Sequence, residues 1–213
     1  LDISNLNGIS NDVKVMALLA DDKGIINIKG DLVIDGIEGT GETKEVAALK
    51  VSNGGTIEVN KAKNRDRIIQ ITGDIDGGSI DDGDKLTLNL LNKDSLINGA
   101  IKGAGNGNAE LNLSNGATWN ATGDSTVKTI ETDKATINLG QHKATINNYT
   151  ANGNGADFNI SGTETGQLVL NNSKGSGTIN INTNSNADKQ LILKNNIATN
   201  IRMNLSKSAS DVI

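Results

Sequence analysis

One apolar–polar–apolar triplet recurs four times in the C-terminal part of the chain and decides the fold. Its copies read Ile137-Asn-Leu139, Phe158-Asn-Ile160, Ile179-Asn-Ile181 and Ile201-Arg-Met203, at offsets of 21, 21 and 22 residues. Such alternation is typical of a half-buried β-strand. Segments rich in Gly and Asn lie between the copies and supply residues that tolerate the positive φ angles of tight turns. The spacing therefore predicts short strands at a regular interval.

A second apolar series interleaves with the triplets at offsets of 22 and 23 residues and consists of Ile146, Leu168 and Leu191. A constant interval is expected of a parallel β-helix, in which each coil stacks on the one before, whereas a sandwich has no reason to keep it. Phe158, Ile179 and Ile201 would then occupy successive tiers of one inward column. The expected outward column comprises Asn138, Asn159 and Asn180, continued by Arg202.

The N-terminal part repeats with a longer period. Residues 17–28, ALLADDKGIINI, match residues 48–59, ALKVSNGGTIEV, at an offset of 31. The strands that follow, LVID before Gly36 and IQIT before Gly73, are 37 residues apart. The six additional residues fall in Lys61–Arg67, which we interpret as an insertion between two strands of the repeating unit. Insertions in solenoids emerge as loops on one face.

Composition narrows the classes of function. The 213 residues include no Cys, no Pro, one His and three aromatic residues, with a net charge of −5. Without Cys there is no disulfide scaffold or thiolate site, and one His excludes a multi-histidine metal centre. The acidic balance argues against nucleic acid and against docking on anionic lipid. The longest apolar run, Val15–Ala20, is far shorter than the roughly 20 residues of a membrane-spanning helix.

These patterns predict an all-β chain, a right-handed parallel β-helix forming one segment over residues 1–213. The expected hand is that of nearly all parallel crossovers. Longer-period coils would cover about 1–110 and shorter-period coils about 111–213. A narrow interior suits Ile, Leu and Val, and Pro would interrupt the strand ladders. Solenoids need caps at their ends; neither end of the sequence predicts a capping helix, so we expect a fragment of a longer rod without complete caps.

Leu111–Ile130, LNLSNGATWNATGDSTVKTI, is similar to the pertactin-like part of passenger domains from Gram-negative type V autotransporters. Two strands flank a pair of turns in it, and the Asn-Gly-Ala-Thr-Trp string ending at Trp119 is its most distinctive part. Residues 48–59 also resemble autotransporter repeats. Ser208–Ile213, SASDVI, resembles the stretch before the last coils of such passengers. The resemblance extends over most of the chain.

The resemblance implies a β-helix delivered to the bacterial cell surface, or secreted, through an outer-membrane barrel that lies outside this chain. The resemblance by itself assigns no activity; together with the predicted rod, it leads us to expect a non-catalytic adhesin with a role in virulence, or the rigid stalk that displays one. The partner would be a protein or glycan on host or bacterial cells, with no cofactor and no metal. A first alternative is self-association, leading to cell aggregation and biofilm. A second alternative is a polysaccharide-acting β-helix enzyme.

The enzyme alternative lacks its usual motifs. The Asn-Thr-Asp, Gly-His-Gly and Arg-Ile-Lys strings of pectin hydrolases are missing, as is the Gly-Asp-Ser-Gly string of serine-protease passengers. The single His142 stands in a turn-like Gly-Gln-His-Lys context, where a solvated histidine is the alternative to a catalytic one. We therefore expect no catalytic residues.

The candidate binding residues are the four cations of the insertion: Lys61, Lys63, Arg65 and Arg67. Four positive side chains within seven residues of an acidic chain would suit an anionic glycan or an acidic protein patch, and a charged, solvated loop is the alternative.

Two further features have structural and functional readings. Asp74–Lys85, DIDGGSIDDGDK, is the densest acidic stretch and would be a solvated turn or a weak calcium loop. The parity of Trp119 with Leu111 and Leu113 predicts an inward or lateral packing role, and an exposed binding aromatic is the alternative.

Overall fold

All strand pairings among the described residues are parallel, as a chain that coils in one direction requires. The computed structural model describes residues 1–5, 7–8, 14–36, 38–39, 45–105, 107–160, 166–183, 190–195 and 202–205. Within these ranges the chain forms strands and turns without any helix. The predicted all-β parallel β-helix is therefore confirmed.

The strands are short, and most of them alternate buried side chains with partly or fully exposed ones. Those of the first half are β1 (Asp2–Ser4), β2 (Asn7–Gly8), β3 (Lys14–Ala20), β4 (Ile25–Ile28), β5 (Leu32–Asp35), β6 (Glu38–Gly39), β7 (Glu45–Val51), β8 (Thr56–Val59), β9 (Ile69–Thr72), β10 (Ile75–Asp76), β11 (Lys85–Leu90), β12 (Leu96–Asn98) and β13 (Ile101–Lys102). Those of the second half are β14 (Ala109–Ser114), β15 (Thr118–Asn120), β16 (Ser125–Asp133), β17 (Ala135–Gly140), β18 (Lys143–Ala151), β19 (Ala156–Ile160), β20 (Gln167–Gly175), β21 (Thr178–Thr183), β22 (Leu191–Leu193) and β23 (Arg202–Leu205).

Three sheets form the sides of the coils, and each takes one strand from successive coils. Sheet I has nine strands in the order β1-β5-β9-β12-β15-β17-β19-β21-β23. Sheet II has eight, in the order β4-β8-β11-β14-β16-β18-β20-β22, and sheet III has four, β3-β7-β10-β13. A separate pair joins β2 to β6. An N-terminal coil thus passes from sheet III to sheet II to sheet I, as in β7, β8 and β9.

Sheet III ends at β13, and in later coils the third side is formed by the beginnings of longer sheet II strands. Strand β16 is nine residues long, and its first four residues, 125–128, precede the part that pairs with β14. The amide of Ile101 in β13 donates a 3.0 Å hydrogen bond to Oγ of Ser125. The leading ends of the long strands therefore continue the position of sheet III, and the later coils need fewer residues.

Continuous aliphatic columns fill the interior, as the repeat predicts. On sheet I the register stacks seven buried side chains in one file: Ile34, Ile71, Ile97, Trp119, Ile137, Phe158 and Ile181. Each is at most 1% exposed. Burial of a side chain of this size stabilises the fold by about 1.5–3 kcal/mol before conformational entropy is counted, so the columns are the main source of cohesion between coils.

The predicted equivalence of the four triplets is correct for the first two residues of the first two copies. A bulge places Gly140, and not Leu139, opposite Ile160, and the later copies are out of register. Ile137 pairs with Phe158, but Phe158 pairs with Ile181, and Ile179 lies in the adjacent column with Met203. Ile201 lies outside the described residues. A shift by two residues keeps every side chain on the same face of a strand, so the hydrophobic alternation cannot detect it.

The prediction made from the second apolar series is also wrong by two residues at one step. Leu168 pairs with Leu191 as expected, whereas Ile146 pairs with Leu170 instead of Leu168. All of these side chains are buried. The loops between strands differ in length, and their lengths decide which of two inward positions meet.

The N-terminal repeat is confirmed residue by residue. Leu18 pairs with Leu49 and Ile26 with Ile57, at the offset of 31, and Ile34 pairs with Ile71 at the offset of 37. Lys61–Arg67 lies between β8 and β9, as predicted for the insertion.

Candidate binding surfaces

The inserted loop is anchored by one buried amide. Asn60, only 1% exposed, adopts a left-handed backbone conformation (φ 53°). Its Nδ2 donates to the carbonyl oxygens of Asn64 (2.9 Å) and Asn89 (3.1 Å), and its Oδ1 accepts from the Asn64 amide at 2.9 Å. Two of these bonds lie within the loop, and the third joins it to the next coil. They therefore fix the backbone position from which the four cationic side chains extend.

The four predicted binding cations divide into two pairs. Lys61 and Lys63 lie on the outward side of sheet II, where they line a depression together with residues of later coils. Nζ of Lys61 is 2.8 Å from Oε2 of Glu58. Arg67 is directed to the preceding coil, where its guanidinium is 3.9 Å from Asp31, and Arg65 is exposed. The structure therefore brings together Lys61 and Lys63 but not all four charges.

A groove continues from this loop along sheet II. It consists of two adjoining depressions of about 230 and 570 Å³ that share Thr129 and Glu131. The smaller one begins at Lys61 and Lys63, and the larger one reaches Lys174. We refer to the two together as the axial groove, because it runs across successive strands and therefore along the axis of the stack.

A second groove, of about 640 Å³, lies over sheet III and is lined by an ion-paired cluster. Nζ of Lys50 donates a hydrogen bond to Oε1 of Glu45 and is 3.3 Å from Asp76. The hydrogen bond from Lys50 lowers the pKa of the Glu45 carboxyl. Partial burial alone would lower the pKa of Lys50, but Glu45 and Asp76 outweigh it and raise that pKa. The Glu45–Lys50 pair is therefore charged at neutral pH.

The acidic turn Asp74–Lys85 is organised by its one buried carboxylate, Asp84. Its two oxygens each accept a 2.8 Å hydrogen bond, from the backbone amides of Gly54 and Ser79. The turn is thus fastened to the coil beneath it. Among the residues that the structure describes, no three His, Cys, Asp or Glu side chains are grouped to hold a metal ion.

Asparagine side chains form a hydrogen-bonded ladder on the outer face of sheet I. Nδ2 of Asn138 donates to Oδ1 of Asn120 (2.7 Å), Asn159 donates to Asn138 (2.6 Å), and Asn182 donates to Asn159 (2.9 Å). The predicted column of Asn138 and Asn159 is confirmed.

The prediction that Asn180 and Arg202 continue this column is wrong. Asn180 belongs to a neighbouring column, where its Nδ2 donates to Asp157 and its Oδ1 accepts from Asn204 at 2.7 Å. Arg202 pairs with Thr178. The cause is the same two-residue shift that displaced the inward triplets.

Trp119 and His142 both take structural positions. Trp119 is fully buried in the sheet I column, and its Nε1 donates to the Gly99 carbonyl at 3.0 Å, so the inward prediction is confirmed. His142 lies in the turn after β17, partly exposed, and its amide donates to the Leu139 carbonyl at 3.0 Å.

Sequence reasoning missed the axial groove and the anchoring roles of Asn60 and Asp84. The groove arises where strands of different coils meet, so no single stretch of sequence carries it. Asp84 looks like any other residue of an acidic turn. One signal was available in the sequence. Gly83-Asp84 directly precedes β11 as Gly54-Gly55 directly precedes β8, so Asp84 occupies the last position of an equivalent turn.

Comparison with known proteins found no protein family, no curated protein and no solved structure that matches this chain. The described part of the chain contains no helix long and apolar enough to span a bilayer.

Proposed function

We propose that this segment is a non-catalytic surface adhesin of a bacterium, or the rigid stalk that displays one, built as an autotransporter passenger. The observation that carries the proposal is the nine-stranded sheet I, in which parallel pairing continues from β1 to β23. A stack of this kind makes a stiff element suited to holding a binding surface away from a cell. The proposed location is the bacterial surface or the surrounding medium, after export through an outer-membrane barrel encoded elsewhere in the full protein.

The proposed contact surface for an anionic glycan or an acidic protein patch includes the inserted loop. Lys63 and Arg65 are exposed and Lys61 is 72% exposed, which leaves positive charge accessible on a chain of net negative charge. In the groove over sheet III, the ion-paired Glu45 is unsuited to act as the general acid of a glycoside hydrolase. A general acid in glycoside hydrolysis needs a raised pKa, whereas the pKa of this carboxyl is lowered.

The test is attachment of beads coated with the purified chain to host epithelial cells and to bacterial cells. The variant K61A/K63A/R65A/R67A is compared with K85A/K93A/K143A/K194A, which removes four exposed lysines elsewhere and gives the same net charge. We expect the loop variant alone to lose attachment, and the loss to be mimicked by high salt, which screens exposed charges. Equal attachment by both variants would show that the loop is not the contact surface. If wild-type beads attach to no cells, the adhesin proposal is wrong.

Self-association is a second candidate function, favoured by the asparagine ladder. The outer face of sheet I between β12 and β21 consists mainly of Asn and Thr side chains, with Asp157 as its charged member. Two negatively charged rods can approach along such a face with little repulsion. Sedimentation velocity over a range of concentrations tests it: N120A/N138A/N159A should weaken a wild-type dimer, and a wild-type chain that stays monomeric contradicts it.

A further inference from the structure

The floor of the axial groove is built from two outward columns of sheet II. In each column, successive strands contribute one residue. The register places Thr87, Glu110, Thr129, Asn148 and Asn172 in the first column. The second column begins at Asn89, which is buried, and its accessible members are Asn112, Glu131, Thr150 and Lys174. Neighbouring strands are about 4.8 Å apart, so five coils give a floor roughly 20 Å long.

The floor presents hydrogen-bonding groups of both kinds. Asn and Thr side chains donate and accept, as sugar hydroxyls do. Two of the amides are already held in place: Nδ2 of Asn172 donates to the Asn147 carbonyl at 3.0 Å, and Nδ2 of Asn148 donates to the Lys128 carbonyl at 3.3 Å. Side chains fixed in advance lose less conformational entropy when a ligand binds.

The charges of the groove nearly cancel. Three cations line it, Lys61, Lys63 and Lys174, together with two carboxylates, Glu110 and Glu131. Lys61 is paired with Glu58 at 2.8 Å, and Glu110 with Lys128 at 2.7 Å. A ligand lying in the groove would therefore be recognised through its hydroxyl groups and not through a net charge.

All three aromatic residues of the chain are buried: Trp119, Tyr149 and Phe158 are each at most 1% exposed. Stacking of a sugar ring on an aromatic side chain is thus excluded at this surface. Recognition has to come from many individually modest hydrogen bonds, each contributing about 0.5–1.5 kcal/mol net. That requirement favours an extended polymer over a short sugar.

From these observations we infer that the axial groove binds a linear, uncharged polysaccharide laid along the rod. A pyranose ring in an extended chain advances by about the height of one coil, so successive rings would meet equivalent pairs of side chains on successive strands. The loop bearing Lys61 and Lys63 closes one end of the groove. The inference deepens the proposed adhesin function, on which its biological role rests, and names a ligand class that the basic loop alone would not select.

Two variants with matched chemistry test the groove. N112A/N148A/N172A removes three amides from its floor, and N27A/N152A/N154A removes three exposed amides that lie outside the groove and outside sheet I, without changing charge. Binding is measured by affinity electrophoresis in gels containing hydroxyethylcellulose as the neutral probe or polygalacturonate as the acidic one, at low and high salt. Circular dichroism and thermal melting verify that both variants are folded.

We expect wild type and N27A/N152A/N154A to be retarded equally by hydroxyethylcellulose, at both salt concentrations. The groove variant should bind at least about tenfold more weakly, as the loss of several hydrogen bonds requires. Equal retardation of the two variants would overturn the inference. So would retardation by polygalacturonate alone that disappears in high salt, since that result would assign binding to exposed cations.

The bead-attachment assay separates this inference from the proposed function. Attachment that survives in N112A/N148A/N172A, together with no retardation of wild type by either polymer, overturns the groove and leaves the adhesin intact. Amide-dependent retardation by hydroxyethylcellulose supports the groove even where beads attach to no cell, and in that case the adhesin is the proposal that fails.

Discussion

The N-terminal and C-terminal coils stack in the same way but stabilise their outer surfaces differently. Ion pairs among the described residues lie between residues 14 and 128, as in the Glu45–Lys50–Asp76 cluster on sheet III. Amide ladders dominate later, as in Asn138 and Asn159 on sheet I. The offset between bonded side chains is also smaller in the later coils: it is 31 for Asp21 and Ser52, and between 18 and 24 in the amide columns of sheet I.

The difference shows that coil length and lateral chemistry are linked. A coil with a separate third sheet has more outward positions, and on sheet III these are filled by charged side chains of alternating sign such as Lys50, Asp76 and Lys102. A shorter coil gives up that sheet, and its amide ladder lies on the outer face of sheet I. There, identical Asn residues in successive strands satisfy one another without any charge.

The largest effect is expected at Trp119, in the last strand of the last coil that has three separate sheets. Trp119→Ala should lower the free energy of unfolding by about 3–5 kcal/mol, because it leaves a large cavity in the sheet I column. It also removes the donor to the Gly99 carbonyl. Urea unfolding measures the loss.

The control for this change is Thr118→Ala, which alters the neighbouring outward residue and should cost less than about 0.5 kcal/mol. If the two variants unfold at similar urea concentrations, the column does not hold the two regions together. Hydrogen exchange would then be needed to find where the cohesion lies.

The second-largest loss of stability is expected in the turns of the N-terminal coils, where one turn packs against the turn of the preceding coil. A Cβ added at Gly55 would stand 2.0 Å from the Ala20 carbonyl oxygen, whereas one added at Gly30 would meet nothing within 4 Å. Gly55→Ala should therefore cost about 1–3 kcal/mol through overpacking, and Gly30→Ala should be nearly neutral. Thermal melting of the two variants checks the contrast, and equal melting temperatures would contradict it.

A smaller effect is expected from the amide ladder. Asn138→Ala breaks two side-chain hydrogen bonds, to Asn120 and Asn159. The groups left behind can reach water, so the expected loss is about 1 kcal/mol. Thr136→Ala on the same strand is the control. A loss as large as that of Trp119→Ala would mean that the ladder, and not the interior, carries the C-terminal coils.

Sequence periodicity was sufficient for the fold because stacked coils repeat their inward side chains. It identified the pairs of the N-terminal repeat, where Leu18 meets Leu49, because two long segments matched at one offset. It failed at Phe158 and Ile179, because alternate residues of one strand are interchangeable as inward positions. Only the lengths of the intervening loops distinguish the two registers, and loops carry no periodic signal.

The candidate site was less predictable than the fold. The charge run Lys61–Arg67 is visible in the sequence, yet the direction of Arg67 towards Asp31 depends on the coil below. The axial groove combines residues from different coils, such as Thr87 and Asn172, which nothing in the sequence brings together. Surfaces made across coils require the register, and the register was the part that periodicity determined incompletely.

The smallest expected change in stability is electrostatic. It should depend on pH in the N-terminal coils and not in the C-terminal coils. The hydrogen bond from Lys50 lowers the folded-state pKa of Glu45, so this residue stabilises the fold above the unfolded-state pKa of a glutamate, about 4.3. That contribution is lost as the pH falls through the lower folded-state value. Melting temperatures of wild type and Glu45→Gln should thus differ at pH 6 and converge towards pH 3. The difference between wild type and Asn138→Ala involves no titrating group and should stay constant over the same range. Parallel behaviour of the two variants would show that charge pairing does not set the N-terminal coils apart.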